Sequence, residues 1–156
     1  MKNNTTMTTK LKILLVEDDP NFGSVLKNYL ELNEYEVKLC TDGFAGYDQF
    51  VVGKFDICIL DVMMPEMDGY TLCQKLHAIP HCSQVPVIFL SALADTADKV
   101  RGFEAGGADY VTKPFQAPEV LARAEHQVKI ARLQRELQQE KELLLAKNQE
   151  LSQARG

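Results

Sequence analysis

The sequence lacks the features that would place a protein in a membrane or on nucleic acid. No apolar run approaches the roughly 18 to 20 residues that span a bilayer, and residues 1–10 lack the apolar core of a signal peptide. The net charge is −5, and no lysine and arginine cluster is interleaved with aromatic residues. We therefore expect a cytoplasmic protein with no membrane contact and no direct nucleic-acid contact through this chain.

Cysteine and histidine are also few, and neither is placed to bind a soft metal. The four cysteines form no Cys-x-x-Cys pair, which favours reduced thiols, some of them buried, over a metal or redox role. None of the three histidines lies beside an acidic group at a predicted strand end, which disfavours zinc. The four thiols belong to Cys40, Cys58, Cys73 and Cys82.

What the chain does contain is a regular alternation of short apolar runs with helical patterns. Apolar residues make up 46% of 156 residues, enough for one domain with a substantial core. A helical pattern follows each run, and five strand–helix alternations of this length predict an α/β fold, because right-handed crossovers place helices on both faces of a parallel sheet. The predicted strands are 11–16, 35–40, 55–60, 85–90 and 109–112.

The residues that follow these strands carry the chemistry. Glu17 and Asp18 follow the first strand, Asp61 the third, Ser91 the fourth and Lys113 the fifth. The carboxyl ends of parallel strands share one edge of a sheet, where ligands bind. Carboxylates about 4 Å apart repel by roughly 4 kcal/mol per pair at an effective dielectric of 20. A cation is therefore expected, and oxygen-only ligands favour Mg²⁺.

These groups together can take up a phosphoryl group. Lys113 offers a positive charge and Ser91 a hydroxyl donor, and phosphoryl transfer depends mostly on positioning and charge neutralisation. Asp61 would be the nucleophile and would form an acyl phosphate. Any one of these residues alone is better explained by a structural role, and only their combination at successive strand ends indicates a phosphoacceptor site.

Four motifs, LLVEDD, ILDVMMPEMDG, VIFLSA and DYVTKPF, follow one another in that order. Together they resemble the receiver domain of bacterial two-component response regulators, over about residues 11–128. The resemblance implies a flavodoxin-like doubly wound sheet of five parallel strands, in the order 2-1-3-4-5, with five helices. It also implies phosphorylation by a sensor histidine kinase or a phosphotransfer protein. The chain would be no enzyme beyond its own phosphorylation from a donor and slow autodephosphorylation.

The resemblance assigns a role to each site residue. It implies that Glu17, Asp18, Asp61 and the backbone carbonyl of Met63 hold Mg²⁺, and that Asp61 is the phosphorylated residue. Asp19 is left outside this set, and its position before Pro20 predicts a helix cap.

The resemblance further implies that Ser91 and Lys113 contact the phosphoryl group. Tyr110 would be an aromatic switch that turns inward into space vacated when Ser91 moves toward the phosphate. Lys113 and Pro114 would be joined by a cis peptide bond.

The last helix is predicted to run from Pro118 without a glycine or proline until Gly156. Its roughly 35 residues would reach about 50 Å, farther than a small domain is wide. A seven-residue repeat favours a parallel two-stranded coiled coil and a homodimer, although Glu140 and Lys147 weaken the second seam and a solvated single helix is the alternative. The dimerisation candidates are Ile130, Leu133, Leu137, Leu144 and Leu151.

The expected organisation is a disordered leader (1–10), a receiver domain (11–128) and a helical extension (129–156), either a coiled coil or a linker to an output domain. We hypothesise that phosphorylation changes the pairing of this extension. Two alternatives belong to other classes. A haloacid-dehalogenase-like phosphatase needs a second acid where Met63 stands, and a dimerisation module with a vestigial receiver would be expected to lack a key group, yet none is missing.

Overall fold

The computed structural model describes residues 10–80 and 82–155, so the predicted disordered leader lies outside the described residues except for Lys10. In these residues five strands alternate with five helices. Their bounds are β1 (Lys12–Val16), α1 (Pro20–Leu32), β2 (Glu36–Cys40), α2 (Gly43–Val52), β3 (Ile57–Asp61), α3 (Gly69–His77), β4 (Val87–Ser91), α4 (Thr96–Glu104), β5 (Asp109–Thr112) and α5 (Ala117–Arg155).

The strands form one parallel sheet in the order β2-β1-β3-β4-β5, which confirms the predicted doubly wound topology. The register brings the strand ends level, since Val16 pairs with Leu60, and Asp61 pairs with Leu90. The order in which strands are added reverses between β1 and β3, since β2 lies on one side of β1 and all later strands lie on the other. In such sheets ligands bind outside the carboxyl ends of the strands at this switch point. The fold therefore places the residues after β1 and β3 at its natural binding crevice.

Alternate residues of the central strands point to two separate cores. All five residues of β3 and all five of β4 are buried, as expected for strands covered by helices on both faces. Leu14 and Leu60 belong to one core, and Ile13 and Ile59 belong to the other. A slip of one residue would move every side chain of a strand into the opposite core, so the two cores fix the register of the strands. The register in turn fixes which residues lie at the carboxyl edge.

The helix that follows β1 begins where the sequence predicts. The Asp19 side chain accepts hydrogen bonds from the backbone N–H groups of Asn21, at 3.0 Å, and Phe22, at 3.3 Å. Pro20 occupies the first turn, where its missing N–H costs nothing. Asp19 is therefore the cap of α1, as expected, and it leaves Glu17 and Asp18 to the sheet edge.

Several element boundaries differ from the sequence-based expectation. β1 and β2 each begin one residue later than predicted, and β3 spans Ile57–Asp61 instead of 55–60, so Asp61 is the last residue of its strand. β4 begins at Val87 instead of residue 85, because the Val85 carbonyl accepts from the His77 ring and Pro86 has no N–H for the ladder. α3 ends at His77 instead of residue 79, since Pro80 disfavours helical backbone at the residue before it. α5 begins at Ala117, one residue earlier than predicted.

α5 has 39 residues, and only its first third packs on the domain. Val120, Ala124, Val128 and Ala131 are buried, at spacings of three and four residues, whereas the described side chains after Ala131 are exposed. The expected domain boundary at residue 128 thus falls just inside the packed segment. None of the helices in residues 10–80 and 82–155 is both long and apolar enough to cross a membrane.

Candidate functional site

Three carboxylates meet at the crevice between β1 and β3. Glu17, Asp18 and Asp61 each offer an oxygen, and these oxygens all lie within 4.8 Å of one another. Glu17 is 1% exposed and Asp61 is 3% exposed, while Asp18 is open to solvent. The structure therefore brings together the three acids that the sequence places at two different strand ends.

Backbone hydrogen bonds hold both acid-bearing turns in place. The Glu17 N–H continues the ladder to the Cys40 carbonyl at 2.9 Å, and the Val62 N–H does so to the Leu90 carbonyl at 2.9 Å. The Glu17 carboxylate also accepts from the Asp19 N–H at 3.2 Å. Because the ladders extend one residue past the strands, the backbone that carries these acids is held at the sheet edge.

Lys113 reaches this cluster from the neighbouring edge of the sheet. Its Nζ donates to Glu17 Oε1 at 3.1 Å and to Asp61 Oδ1 at 3.5 Å. Its backbone N–H donates to the Ser91 carbonyl at 2.7 Å, and its ammonium lies 5.1 Å from the centroid of the Phe22 ring. The expected cis peptide bond between Lys113 and Pro114 is present. One lysine thus faces three acids, which leaves the cluster short of positive charge.

This imbalance appears in the acid–base properties of the cluster. Burial raises the pKa of Asp61 to about 8, and the neighbouring Asp18 and Glu17 carboxylates add to the increase against the opposing Lys113. The hydrogen bond to Asp61 lowers the pKa of Asp18. Burial works against charge on Lys113, but Asp61 and Glu17 outweigh it and raise the pKa of the ammonium. A proton therefore occupies the cluster near neutral pH unless a cation replaces it.

The donor set fits a hard cation such as Mg²⁺. Its three members supply only carboxylate oxygens, which are hard ligands, and an exposed Asp18 leaves room for water in the coordination shell. No cluster of cysteines and histidines with metal-binding geometry accompanies it in the described residues. Met63, whose carbonyl is the predicted fourth protein ligand, lies two residues after Asp61 with an exposed side chain.

The loop between β3 and α3 is fitted closely around Asp61. The Gly69 N–H donates to the Val62 carbonyl at 2.9 Å, and Asp68 caps α3 by accepting from the Thr71 N–H at 2.8 Å. A Cβ on Gly69 would collide with the backbone oxygen of Asp61. Position 69 therefore requires glycine, because the loop backbone passes close to the Asp61 backbone. This close contact fixes the distance between the loop and Asp61.

Ser91 lies at the end of β4, next to the strand that carries Asp61. It is fully buried, and its Oγ accepts a hydrogen bond from the Leu93 N–H at 2.9 Å. The hydroxyl proton is still available to an acceptor, because the oxygen is the acceptor in this bond. Ser91 is thereby linked directly to the loop that leads into α4.

Tyr110, the predicted aromatic switch, lies inward in the structure. It is 6% exposed, and its hydroxyl lies 3.1 Å from the Tyr70 hydroxyl. Sequence reasoning counts Tyr70 only as an inward residue of α3. Its hydroxyl contacts depend on residues 28 and 40 positions away, and no local pattern identifies them.

The predicted dimerisation residues fall into two groups. Leu133, Leu137, Leu144 and Leu151 are each more than half exposed on α5, whereas Ile130 is partly buried and borders a groove beside residues 83–86. Leu143 and Leu145 are as exposed as the leucines of the repeat. The extension therefore presents more apolar surface than one seam requires.

The sequence profile of the response regulator receiver domain matches residues 13–125. The chain belongs to this family. It is 44% identical over 119 residues to the transcriptional regulatory protein RprY of Bacteroides fragilis, covering 76% of this chain and 50% of that protein. It is 39% identical over 112 residues to RpaA of Synechocystis, a DNA-binding dual master transcriptional regulator, covering 72% of this chain and 46% of that protein.

A solved structure of a response regulator from Chloroflexus aurantiacus superposes with a TM-score of 0.74 at 33% identity, covering 78% of this receiver chain and 99% of the other. The chain spans about half the length of the curated relatives it matches. Receiver domains in general accept phosphoryl groups from histidine kinases or phosphotransfer partners and bind Mg²⁺ at an acidic pocket. Family membership thus confirms the receiver prediction over the haloacid-dehalogenase alternative.

Proposed function

We propose that this chain is a phosphoacceptor whose Asp61 takes a phosphoryl group from a sensor histidine kinase or phosphotransfer protein. Mg²⁺ would be held by Glu17, Asp18, Asp61 and the backbone carbonyl of Met63. The observation that carries this proposal is the approach of three carboxylates to within 4.8 Å, with the Lys113 ammonium 3.1 Å and 3.5 Å from two of them.

In the proposed reaction an Asp61 carboxylate oxygen attacks phosphorus in line with the donor's phosphohistidine nitrogen. The phosphorus–oxygen bond forms as the phosphorus–nitrogen bond breaks, and the electron pair stays on the donor imidazole. Lys113, already beside Asp61, neutralises charge on the transferred oxygens. When bound, Mg²⁺ supplies positive charge that offsets the carboxylates and the phosphoryl oxygens. The chain's own chemistry would extend only to slow hydrolysis of the acyl phosphate.

Ser91 would transmit the new charge to the rest of the domain. A phosphoryl group on Asp61 adds strong acceptor oxygens beside β4, and the Ser91 hydroxyl proton is free to bind one of them. Movement of Ser91 would loosen its bond to the Leu93 N–H, which is 2.9 Å long, and so would shift the loop before α4. Ser91 and Tyr110 would together act as the switch.

The output would pass through α5 to its exposed leucines. We propose that two copies pair along the repeat of Leu137, Leu144 and Leu151, assisted by Leu133 and Ile130, and that phosphorylation changes this pairing. The relatives are named as transcriptional regulators, and the matched segment is only about half of their length, which supports a role for the receiver in controlling a separate output domain. With a net charge of −5, this chain would not itself contact DNA.

The test is phosphorylation by acetyl phosphate with Mg²⁺, read by intact mass and by mapping the modified residue. We expect one phosphoryl group on Asp61, and none in Asp61→Asn. Asp19→Asn is the matched control, because it changes a carboxylate two residues from Glu17 that lies outside the cluster, and asparagine also caps helices well.

An unmodified wild-type chain in the presence of a competent donor would contradict the proposal. Persistent labelling of Asp61→Asn at the wild-type level would contradict the choice of residue. If the wild-type protein dimerises but no donor phosphorylates it, the result would instead favour the dimerisation module with a vestigial receiver.

A further inference from the structure

Tyr70 connects three elements of the domain through its hydroxyl. This side chain, 4% exposed, lies at the start of α3, and its hydroxyl donates to the Asp98 backbone carbonyl of α4 at 3.1 Å. The same oxygen lies 3.1 Å from the Tyr110 hydroxyl of β5. A phenol has one proton, and the carbonyl can only accept it, so the Tyr70 oxygen accepts from Tyr110. The Tyr110 proton is therefore committed to Tyr70.

The Tyr70 ring is fixed on both sides by packing. It meets Phe89 edge to face, with centroids 5.1 Å apart and planes at 76°. The Arg101 guanidinium lies 4.8 Å from its centroid, a cation–π contact that restrains the ring from the solvent side. The hydroxyl that receives Tyr110 is thus held at a defined place, and a single hydrogen bond there can decide the orientation of its partner.

Gly102 completes the space that Tyr110 occupies. A Cβ at this position of α4 would lie 3.0 Å from Tyr110 Cδ2 and 3.1 Å from Phe89 Cδ2, closer than ordinary contacts. Phe89 itself lies 6.2 Å from Tyr110, centroid to centroid. The inward site is therefore formed by a missing side chain on one side and a hydroxyl partner on the other.

The same tyrosine is joined to the loop that carries the phosphoacceptor. Tyr70 directly follows Gly69, whose N–H binds the Val62 carbonyl at 2.9 Å. Asp68, on the other side of Gly69, lies 3.9 Å from the Arg101 guanidinium. A shift of this loop would move Tyr70 together with the partner of Tyr110.

We propose that Tyr70 is a positioning residue that holds Tyr110 inward through the contact between their hydroxyls. The inward site made by Tyr70, Phe89 and Gly102 biases the α4–β5 surface toward the arrangement that phosphorylation is expected to favour. Its link to phosphorylation rests on the proposed function of Asp61. By thermodynamic reciprocity, a contact that favours the inward state also strengthens binding of any ligand that prefers that state.

The experiment compares Tyr70→Phe with Tyr47→Phe in the full chain. Each substitution removes one hydroxyl, and Tyr47 is a half-buried tyrosine on α2, away from β5. Tyr110 is followed by NMR through nuclear Overhauser contacts between its ring and Phe89. The affinity for beryllofluoride with Mg²⁺, a phosphoryl mimic, is measured by calorimetry. Thermal melting checks that all variants are folded.

We expect the Tyr110–Phe89 contacts to weaken in Tyr70→Phe and to persist in wild type and Tyr47→Phe. Loss of one buried hydrogen bond predicts a roughly three- to tenfold weaker beryllofluoride affinity. Contacts and affinity within twofold of wild type in Tyr70→Phe would overturn the proposal, as would an equal change in Tyr47→Phe.

A second variant tests the site from its opposite side. In Gly102→Ala the added methyl group would crowd Tyr110, so the same contacts should weaken although the Tyr70 hydroxyl is intact. Unchanged contacts in this variant would contradict the role given to Gly102. Failure of wild-type protein to bind beryllofluoride would count against the proposed function, whereas the NMR contacts test Tyr70 independently of it.

Discussion

Burial and like charge act in the same direction on Asp61, since both raise the pKa of its carboxyl group. Its carboxylate is 3% exposed and shares the crevice with two other acids and one lysine. A buried carboxylate short of positive charge favours the protonated form. The side chain that would accept phosphate is therefore not ready as an anion until a cation joins the cluster.

One prediction concerns stability without metal. The pKa of Asp61 is raised from 3.8 to about 8, so its contribution is fully present below pH 3.8 and is lost as pH rises through about 8. Asp61→Asn lacks this loss. In EDTA we therefore compare the free energies of unfolding of Asp61→Asn and wild type at two pH values. The advantage of the variant should be about 2 kcal/mol larger at pH 8.5 than at pH 5. This value is smaller than the linkage limit because Asp18 and Lys113 titrate together with Asp61.

Urea denaturation at both pH values provides the measurement. Asp19→Asn, which changes a capping acid outside the cluster, should keep the wild-type pH dependence. Parallel curves for wild type and Asp61→Asn would show that Asp61 does not carry the raised pKa.

A related prediction concerns proton release. Metal ligands must be deprotonated, and with a pKa of about 8 Asp61 is largely protonated at pH 7 in the metal-free receiver. Binding of Mg²⁺ at pH 7 should therefore release close to one proton. Calorimetric titrations in buffers of different ionisation enthalpy measure this number, and Asp61→Asn should release almost none. Equal apparent heats in all buffers for wild-type protein would argue against this account.

At the scale of elements, the function depends on where helices and loops begin. Capping aspartates start α1, α2 and α3, since Asp19, Asp42 and Asp68 each accept from backbone N–H groups of the first turn. Two of these caps stand next to the carboxylate cluster. Local hydrogen bonds thus fix the turns around Asp61, the proposed phosphoacceptor, and the sheet needs only to bring the turns together.

Gly69 is the most sensitive point of these turns. Gly69→Ala should lower the free energy of unfolding by about 2 kcal/mol, because the methyl group would collide with the Asp61 backbone oxygen and the loop must move. The same movement should slow phosphorylation by acetyl phosphate at least about tenfold, since positioning dominates this chemistry. Gln74→Ala, at an exposed position of the same helix, should leave both quantities near wild type. Unaltered phosphorylation in Gly69→Ala would mean that the loop tolerates displacement.

The exposed leucines of α5 allow a matched test of the repeat. The double variant Leu137→Ala with Leu144→Ala removes two leucines of the proposed seam. Burial of each leucine is worth roughly 1.5 to 3 kcal/mol, so the dimer dissociation constant should rise by about a hundredfold or more. Leu143→Ala with Leu145→Ala removes leucines that are 58% and 56% exposed but lie outside the repeat. Sedimentation velocity measures both constants, and equal effects of the two pairs would contradict the assigned seam.

At the scale of the whole molecule, a compact receiver and a free helix share one continuous element. Helix α5 buries Val128 and Ala131 against the domain and leaves the leucines of its second half in solvent. An isolated solvent-exposed helix of this length gains little stability from propensity alone. In the proposed dimer, the exposed half would gain most of its stability from pairing, and this would make it suited to reporting a change at its packed end.

Two truncations test this division. A chain ending at Arg132 keeps Ala131 and should melt within about 2 °C of the full chain, because the removed residues bury little against the domain. A chain ending at Glu125 loses the burial of Val128 and Ala131, and its Tm should fall by roughly 5 to 10 °C. Calorimetry at low protein concentration, where dimers dissociate, separates the two. Equal Tm values would mean that the domain ends before Val128.

The sequence alone determined those features that depend on neighbouring residues. The alternation of runs and helices predicted the parallel sheet, and the Asp19 cap was predicted from its position before Pro20. The family profile confirmed the receiver assignment made from four short motifs. The roles of the individual site residues remain predictions, because proximity of carboxylates does not by itself show which one accepts phosphate.

Only the tertiary structure decided the contacts that join distant parts of the chain. The strand-end positions predicted that Lys113 and Glu17 share one edge of the sheet, but only the structure shows the 3.1 Å contact between them. Tyr110 meets Tyr70 across 40 residues, and this pairing leaves no periodic signal in the sequence. Tyr110 lies inward because Gly102 lacks a side chain and Tyr70 offers an acceptor, and both depend on how α3 and α4 pack on the sheet. Hydrogen bonds act over about 3 Å, and packing sets that distance between elements that the sequence places far apart.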